Sequence, residues 1–169
     1  MRIMGIDPGI AIVGYGILDK QGSTRLVDVD YGSIQTPAGM PVPARLKEIY
    51  DACTLLFSKY RPDVVAIEKL YFNRNVTTAF TVGQARGVMM LAAEEAGIPI
   101  TEYTPLQVKM AVVGYGKADK KQVQEMVKLL LHLPSVPKPD DVADALAIAI
   151  CEAHSSGTVQ KYKKWGLKR

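Results

Sequence analysis

The chain has 169 residues, 48% of them hydrophobic, and a formal net charge of +4. That length and apolar share suit one domain with its own core, and no apolar run reaches the roughly 18 residues needed to cross a membrane. Two cysteines, Cys53 and Cys151, fit neither a disulfide framework nor a zinc cluster, and the N-terminus lacks a signal-peptide pattern. The expectation is a cytoplasmic protein whose thiols pack as small apolar groups.

Residues 2–7, "RIMGID", read as a short apolar strand that ends on Asp7 just before Pro8-Gly9. "AIVGYGILD" alternates with period two and is a second strand, with Gly14 and Gly16 inside it, where glycine marks the close approach of another backbone or a ligand. "TRLVDVDYGSIQT" is a third, and the short turns make these three an antiparallel meander. Residues 41–60 carry Leu46, Ile49, Cys53, Leu56 and Phe57 at helical spacing. "DVVAIE" is a continuous apolar run closed by Glu68, the pattern of a buried strand. The loop "KLYFNRN" leads to a long helix over 76–96, stopped by Gly97-Ile98-Pro99. "PITEY" is a fifth strand, and "TPLQVKMAVVG" is a short helix with Thr104 as N-cap and Pro105 at its first position. "GYGKADKK" reads as a flexible basic loop, "KQVQEMVKLLL" as a helix, "LPSVPKP" as a connector and "DDVADALAIAICEAH" as the last helix. The order βββαβαβααα implies a mixed α/β sheet covered by helices.

One folded domain spans 1–155, and 156–169 form a basic tail. The tail holds Lys161, Lys163, Lys164, Lys168 and Arg169 without an acid, so the body is close to neutral. Interleaved Tyr162 and Trp165 suit a polyanion, and a solvated terminus fits the same residues.

Four acids stand out. Asp7 and Glu68 end apolar strands, and Asp141 and Asp144, three apart, share one face at the start of an alanine-rich helix. Each has a structural explanation on its own: Asp7 opening a type II turn at Pro8-Gly9, Glu68 as an edge charge, Asp140 or Asp141 as an N-cap favoured by the helix dipole. Taken together they point to one cleft, because ligands gather at strand carboxyl ends and a helix crossing those ends would bring its two acids there. Four carboxylates in one cleft call for a cation. Oxygen-only ligands point to Mg²⁺ or Mn²⁺, and two such ions suit phosphodiester hydrolysis.

The stretches "GIDPGIAIVGYGIL", "VVAIEKLYF", "VGQARG", "TPLQVKMAVVGYGKADKKQV" and "DDVADALAIAI" resemble, in order and over roughly residues 1–155, the RuvC family of Holliday-junction resolvases. The resemblance implies a ribonuclease-H-like fold: a five-stranded mixed sheet, strands 1–3 antiparallel and strands 4–5 parallel, flanked by helices. It implies a homodimeric, Mg²⁺-dependent endonuclease, with two ions per site and Mn²⁺ as a substitute, that makes paired symmetric nicks in four-way DNA junctions and leaves 5′-phosphate and 3′-hydroxyl ends. It also implies a RuvA–RuvB branch-migration partner.

Carried over by residue, Asp7, Glu68, Asp141 and Asp144 are the catalytic, metal-holding acids. The family pattern, not the spacing, selects Asp141 over Asp140. Tyr71 takes an aromatic position that stacks on a junction base, where the family often has Phe. Lys109 and Lys120 match lysines facing DNA near the cut, where either offsets transition-state charge. Lys117 and Lys121 beside Lys120, and Arg74 beside Tyr71, extend the DNA-binding set. Of Tyr71 and Phe72, one ring is expected inward and one outward.

The long helix shows two stripes, Val76, Phe80, Gly83, Gly87 and Met90 against Ala79, Val82, Arg86, Met89 and Ala93, which suggests the sheet on one side and a second subunit on the other. A two-fold junction suits a two-fold dimer. Rival functions are an actin-like phosphotransferase, for which the chain is short and lacks a second glycine-rich hairpin, a related nuclease acting on RNA, and a non-catalytic junction binder, against which the intact acid set argues.

Overall fold

A computed structural model of the chain describes the backbone of residues 1–70 and 76–164 and the side chains of 1–70 and 79–156. In chain order the elements are β1 (Arg2–Asp7), β2 (Ile12–Gln21), β3 (Arg25–Gln35), α1 (Val42–Tyr60), β4 (Val64–Glu68), α2 (Val76–Glu95), β5 (Ile100–Tyr103), α3 (Pro105–Val113), α4 (Lys120–Leu130) and α5 (Asp140–Lys164). The five strands form one sheet in the order β3-β2-β1-β4-β5. β1 pairs antiparallel with β2 and parallel with β4, and β5 joins β4 in parallel.

Strand alternation assigns each residue to one of two cores. Met4 and Ile6 of β1, Val13 and Ile17 of β2, and Val65 and Ile67 of β4 pack with Ile49, Cys53 and Phe57 of α1 and Ala85, Met89, Ala92 and Ala93 of α2. The opposite face carries Ile3 of β1, Leu18 of β2, and Val64 and Ala66 of β4 against α3, α4 and the apolar length of α5. On this second face the alternation also turns Gly5, Asp7 and Glu68 toward α5.

The helix ends follow local chemistry. Thr104 caps α3 in a reciprocal box with Gln107, and Gly114 closes the helix with a left-handed backbone. Asp119 and Gln122 form the same box at the start of α4. This box was legible in "DKKQ", yet the basic run suggested a loop through Lys121. α4 instead starts at Lys120, one residue before the helix expected over "KQVQEMVKLLL".

A second departure is at the C-terminal end. α5 does not stop near His154 but continues to Lys164, so its backbone takes in most of the basic segment. "SSGTVQKYKK" contains no proline, and extending an established helix costs far less than nucleating one. No helix among the described residues is long and apolar enough to cross a membrane.

Candidate active site

The four acids converge because of how three glycines seat α5. In the β1–β2 ladder, Gly5 lies opposite Gly16 and Asp7 opposite Gly14. A Cβ on Gly5 would stand 2.1 Å from the Ala145 carbonyl oxygen, and one on Gly16 2.6 Å from Leu146. At Gly14 it would stand 1.9 Å from the carbonyl oxygen of Asp141. The sheet therefore offers a notch without side chains, and α5 lies in it backbone to strand. Asp141 is seated on the cross-strand partner of Asp7, and Asp144 follows one turn on.

Glu68 arrives from the other side. Parallel pairing of β1 with β4 runs to Ile6 opposite Ile67, so Asp7 and Glu68 are the next residues of adjacent strands. Both lie at strand carboxyl ends and both face α5.

The electrostatics reflect this crowding. Burial, then the charges of Asp144, Glu68 and Asp141, push the Asp7 carboxyl up to about 8, with Lys120 acting in the opposite sense. Burial and the nearby Asp144 raise Glu68, again against Lys120. Burial raises Asp144 despite its bond to Lys120. Asp140 behaves differently: its bond to Lys138 at 2.8 Å holds it below the usual carboxylate range. Asp141 and Asp140, adjacent in sequence, thus differ in surroundings: Asp141 acts on Asp7, whereas Asp140 bonds Lys138 and lies 3.6 Å from Lys120.

Lys120 is the cation inside the cluster. Its Nζ lies 3.0 Å from Asp144 and 3.6 Å from Asp140. A cation in the first turn of a helix is opposed by the helix dipole. Burial also disfavours its charge, yet the bond to Asp144 and the surrounding carboxylates outweigh this and raise the Lys120 pKa. A pocket of about 200 Å³ opens beside it, lined by Glu68, Asp144, Lys109 and Lys120 over an apolar floor that includes Val108 and Val123. Lys109 therefore shares the cleft with Glu68 and Asp144, while Lys117 and Lys121 are exposed and do not line it. Tyr71, Phe72 and Arg74 lie outside the described residues.

As the side chains stand, no group of three or more His, Cys, Asp or Glu among the described residues is placed to hold a metal ion. The donor chemistry nonetheless fits a hard divalent cation: only carboxylates, with Asp7 raised to about 8 first by burial and then by neighbours whose charge a cation would neutralise. Lys120 supplies part of that positive charge. Lys120→Met is expected to slow catalysis about 10- to 100-fold, measured as single-turnover rate, with a smaller loss of affinity for DNA.

Sequence reasoning passed over Arg86. Its inward stripe on α2 suggested packing, but its guanidinium bonds the Glu68 carbonyl and the Glu102 carboxylate. The signal was available: a charged residue at a core-facing position of an apolar helix needs a partner.

A mixed sheet in this strand order, with acids at the ends of its two adjacent central strands and on the helix crossing them, defines a ribonuclease-H-like domain. The sequence profile of the family described as "Crossover junction endodeoxyribonuclease RuvC" matches residues 3–152. A relative of that description from Brevibacillus brevis is 69% identical over 153 residues, covering 90% of this chain and 92% of its own. Another, from Desulfitobacterium hafniense, is 59% identical and covers 92% of this chain and 93% of its own. Among solved structures, Thermus thermophilus RuvC in complex with a Holliday junction substrate superposes with a TM-score of 0.86 at 34% identity, over 94% of this chain and 96% of that one. The chain belongs to the RuvC family of crossover junction endodeoxyribonucleases.

Proposed function

We propose that the chain is an endonuclease that resolves four-way DNA junctions by paired, symmetric nicks. The observation that carries this reading is the convergence of Asp7, Glu68, Asp141 and Asp144 around Lys120. A junction-bound relative of the same fold supports it.

Asp7, Glu68, Asp141 and Asp144 would hold Mg²⁺, with Mn²⁺ able to substitute. When bound, two such ions would supply Lewis acidity, lowering the pKa of water and stabilising the leaving oxygen. Asp7, on a core strand with no rotational slack in its backbone, sets the position of the reacting phosphate relative to the other acids. Lys109 and Lys120 offset the extra negative charge that builds on phosphorus. The oxygen of water bonds to phosphorus, the bond from phosphorus to the 3′ oxygen breaks, and a proton ends on that oxygen. The products carry 5′-phosphate and 3′-hydroxyl. Lys117, Lys121, Tyr71 and Arg74 would hold the junction arms, as a salt-dependent electrostatic contact and a stacking platform.

A homodimer through the 76–96 helix provides the second cut. Phe80 and Leu91 on the outer side of α2 are 66% and 53% exposed, and Gly87 between them has open space where a Cβ would stand. An apolar, low-profile helix face of this kind suits a second copy of itself. Phe80→Glu is expected to shift the protein from dimer to monomer at micromolar concentration and to replace paired nicks with single ones, read by light scattering and by the product pattern. RuvA–RuvB is the proposed branch-migration partner, and the cytoplasm the proposed compartment.

The test is a labelled four-way junction beside a linear duplex of the same sequence, with and without Mg²⁺. Paired nicks on the junction alone, and with metal alone, support the reading. Tight junction binding without cleavage in any divalent metal would leave a binding module instead.

A further inference from the structure

Arg86 lies on the side of α2 that faces the sheet, among the buried Ala85, Met89 and Ala93. Its side chain is only 17% exposed. Nε donates to the backbone carbonyl of Glu68 at 3.2 Å, and Nη2 donates to the Glu102 carboxylate at 2.6 Å. One planar side chain thus joins the last residue of β4 to β5.

The location has a backbone reason. The N–H groups of Val65 and Lys69 donate to Pro99 and Tyr103, on the β5 side of β4. By the two-residue period, the backbone groups of Glu68 turn the other way, toward β1. The β1 ladder has ended by then, and position 8, the next donor along that chain, is a proline without an N–H. β4 therefore presents the acid at the point where its pairing to β1 gives out. A guanidinium, with donors in a fixed planar fork, reaches both this carbonyl and Glu102.

We propose that Arg86 is a positioning residue for the reaction: by tying the Glu68 carbonyl to Glu102 it fixes the end of β4, so that the Glu68 carboxylate stays aimed at Asp7 and α5. This rests on the reading of Glu68 as a metal-holding acid. Lysine replaces it only in part, since one ammonium on a flexible stem does not make both fork contacts at once.

The test uses the full chain and two readouts. Mn²⁺ binding is measured by titration calorimetry without DNA, and cleavage under single-turnover conditions at saturating protein. Arg86→Ala is expected to weaken Mn²⁺ binding at least 5-fold and to slow cleavage at least 20-fold, with junction affinity within twofold of wild type. Arg86→Lys is expected to fall between the two. Glu102→Gln, which loosens the anchor and leaves Arg86 in place, is expected to slow cleavage about 3- to 5-fold without a change in melting temperature. It carries the test if Arg86→Ala does not fold. Glu68→Gln separates the two levels of the argument. If Glu68→Gln weakens Mn²⁺ binding while the Arg86 and Glu102 variants match wild type in both readouts, the Arg86 proposal is overturned alone. If Glu68→Gln leaves Mn²⁺ binding unchanged, the reading of Glu68 falls and the proposal with it.

Discussion

Asp7→Asn is expected to lower junction cleavage by at least about 10³-fold while leaving junction binding within a few fold and, without metal, to make the protein more stable. The two halves have one cause. The carboxyl of Asp7 is pushed up to about 8 by burial and by Asp144, Glu68 and Asp141. An unfolded aspartate titrates near 3.9, so between about pH 4 and pH 8 the folded state binds more protons than the unfolded one. Stability then falls as pH rises through that window and levels off above it. Glu68 and Asp144 are raised too, and act in the same sense. Asparagine carries no charge at any pH in this range. The metal-free variant should therefore match wild type near pH 4 and exceed it by pH 8, by an amount of order 2–3 kcal/mol, or roughly 5–10 °C in melting temperature. Millimolar Mg²⁺ should then raise the melting temperature of wild type at pH 8 and have little effect on the variant. Thermal melts at pH 4, 6 and 8, with and without metal, check the sign. A variant no more stable than wild type at pH 8 would mean that Asp7 is not under electrostatic strain.

Gly14→Ala is the second large effect, and it reaches the acids through the backbone alone. The added methyl would sit 1.9 Å from the carbonyl oxygen of Asp141 and 2.3 Å from its carbonyl carbon. Neither atom belongs to a flexible side chain, so the N-terminal turn of α5 must lift from the sheet. Overpacking of this kind costs about 1–3 kcal/mol. The functional loss should be larger in proportion, because Asp141 and Asp144 move with the helix while Asp7 and Glu68 stay with the strands. A displacement near 1 Å in such a constellation costs about 10²-fold in rate. Gly39→Ala serves as the control, since a Cβ there meets nothing within 4 Å. The expected result is a cleavage rate at least about 10²-fold lower in Gly14→Ala, with a folded circular dichroism spectrum, and wild-type behaviour in Gly39→Ala. Full activity in Gly14→Ala would show that the acids tolerate a shift of α5.

Much of this was readable from local pattern. A short apolar run marks β1, period-two alternation marks β2, and the continuous run "VVAIE" marks β4 as buried. Thr104 and Pro105 placed the start of α3 where it lies. Gly14 and Gly16 were recognised as a place of close approach, although the sequence alone left open whether a ligand or a backbone would come near. The backbone is that of α5. Of the two stripes of α2, the one with Met89 and Ala93 faces the sheet together with Ala85 and Ala92, while the other is divided, Phe80 exposed and Met90 packed against the core. The run of charge around Lys120 suggests a loop, but the Asp119 and Gln122 capping box starts α4 at this residue.

The sequence by itself determined the elements, their order and the presence of four acids at element ends, because capping, alternation and helical spacing act over a few residues. Which acids meet was decided by tertiary structure. Asp7 and Glu68 are 61 positions apart and become neighbours only because β4 pairs in parallel with β1, a contact that no local pattern encodes. Asp141 and Asp140 are equivalent by composition. They part because α5 seats the backbone of Asp141 on Gly14, while the Asp140 carboxylate is held by Lys138 and lies near Lys120. The bonds of Arg86 to Glu68 and Glu102 likewise exist only once α2 has packed across the sheet. In each case a carbonyl, a carboxylate or a missing Cβ acquires its role from a partner distant in the chain, and the folded geometry decides which partner that is.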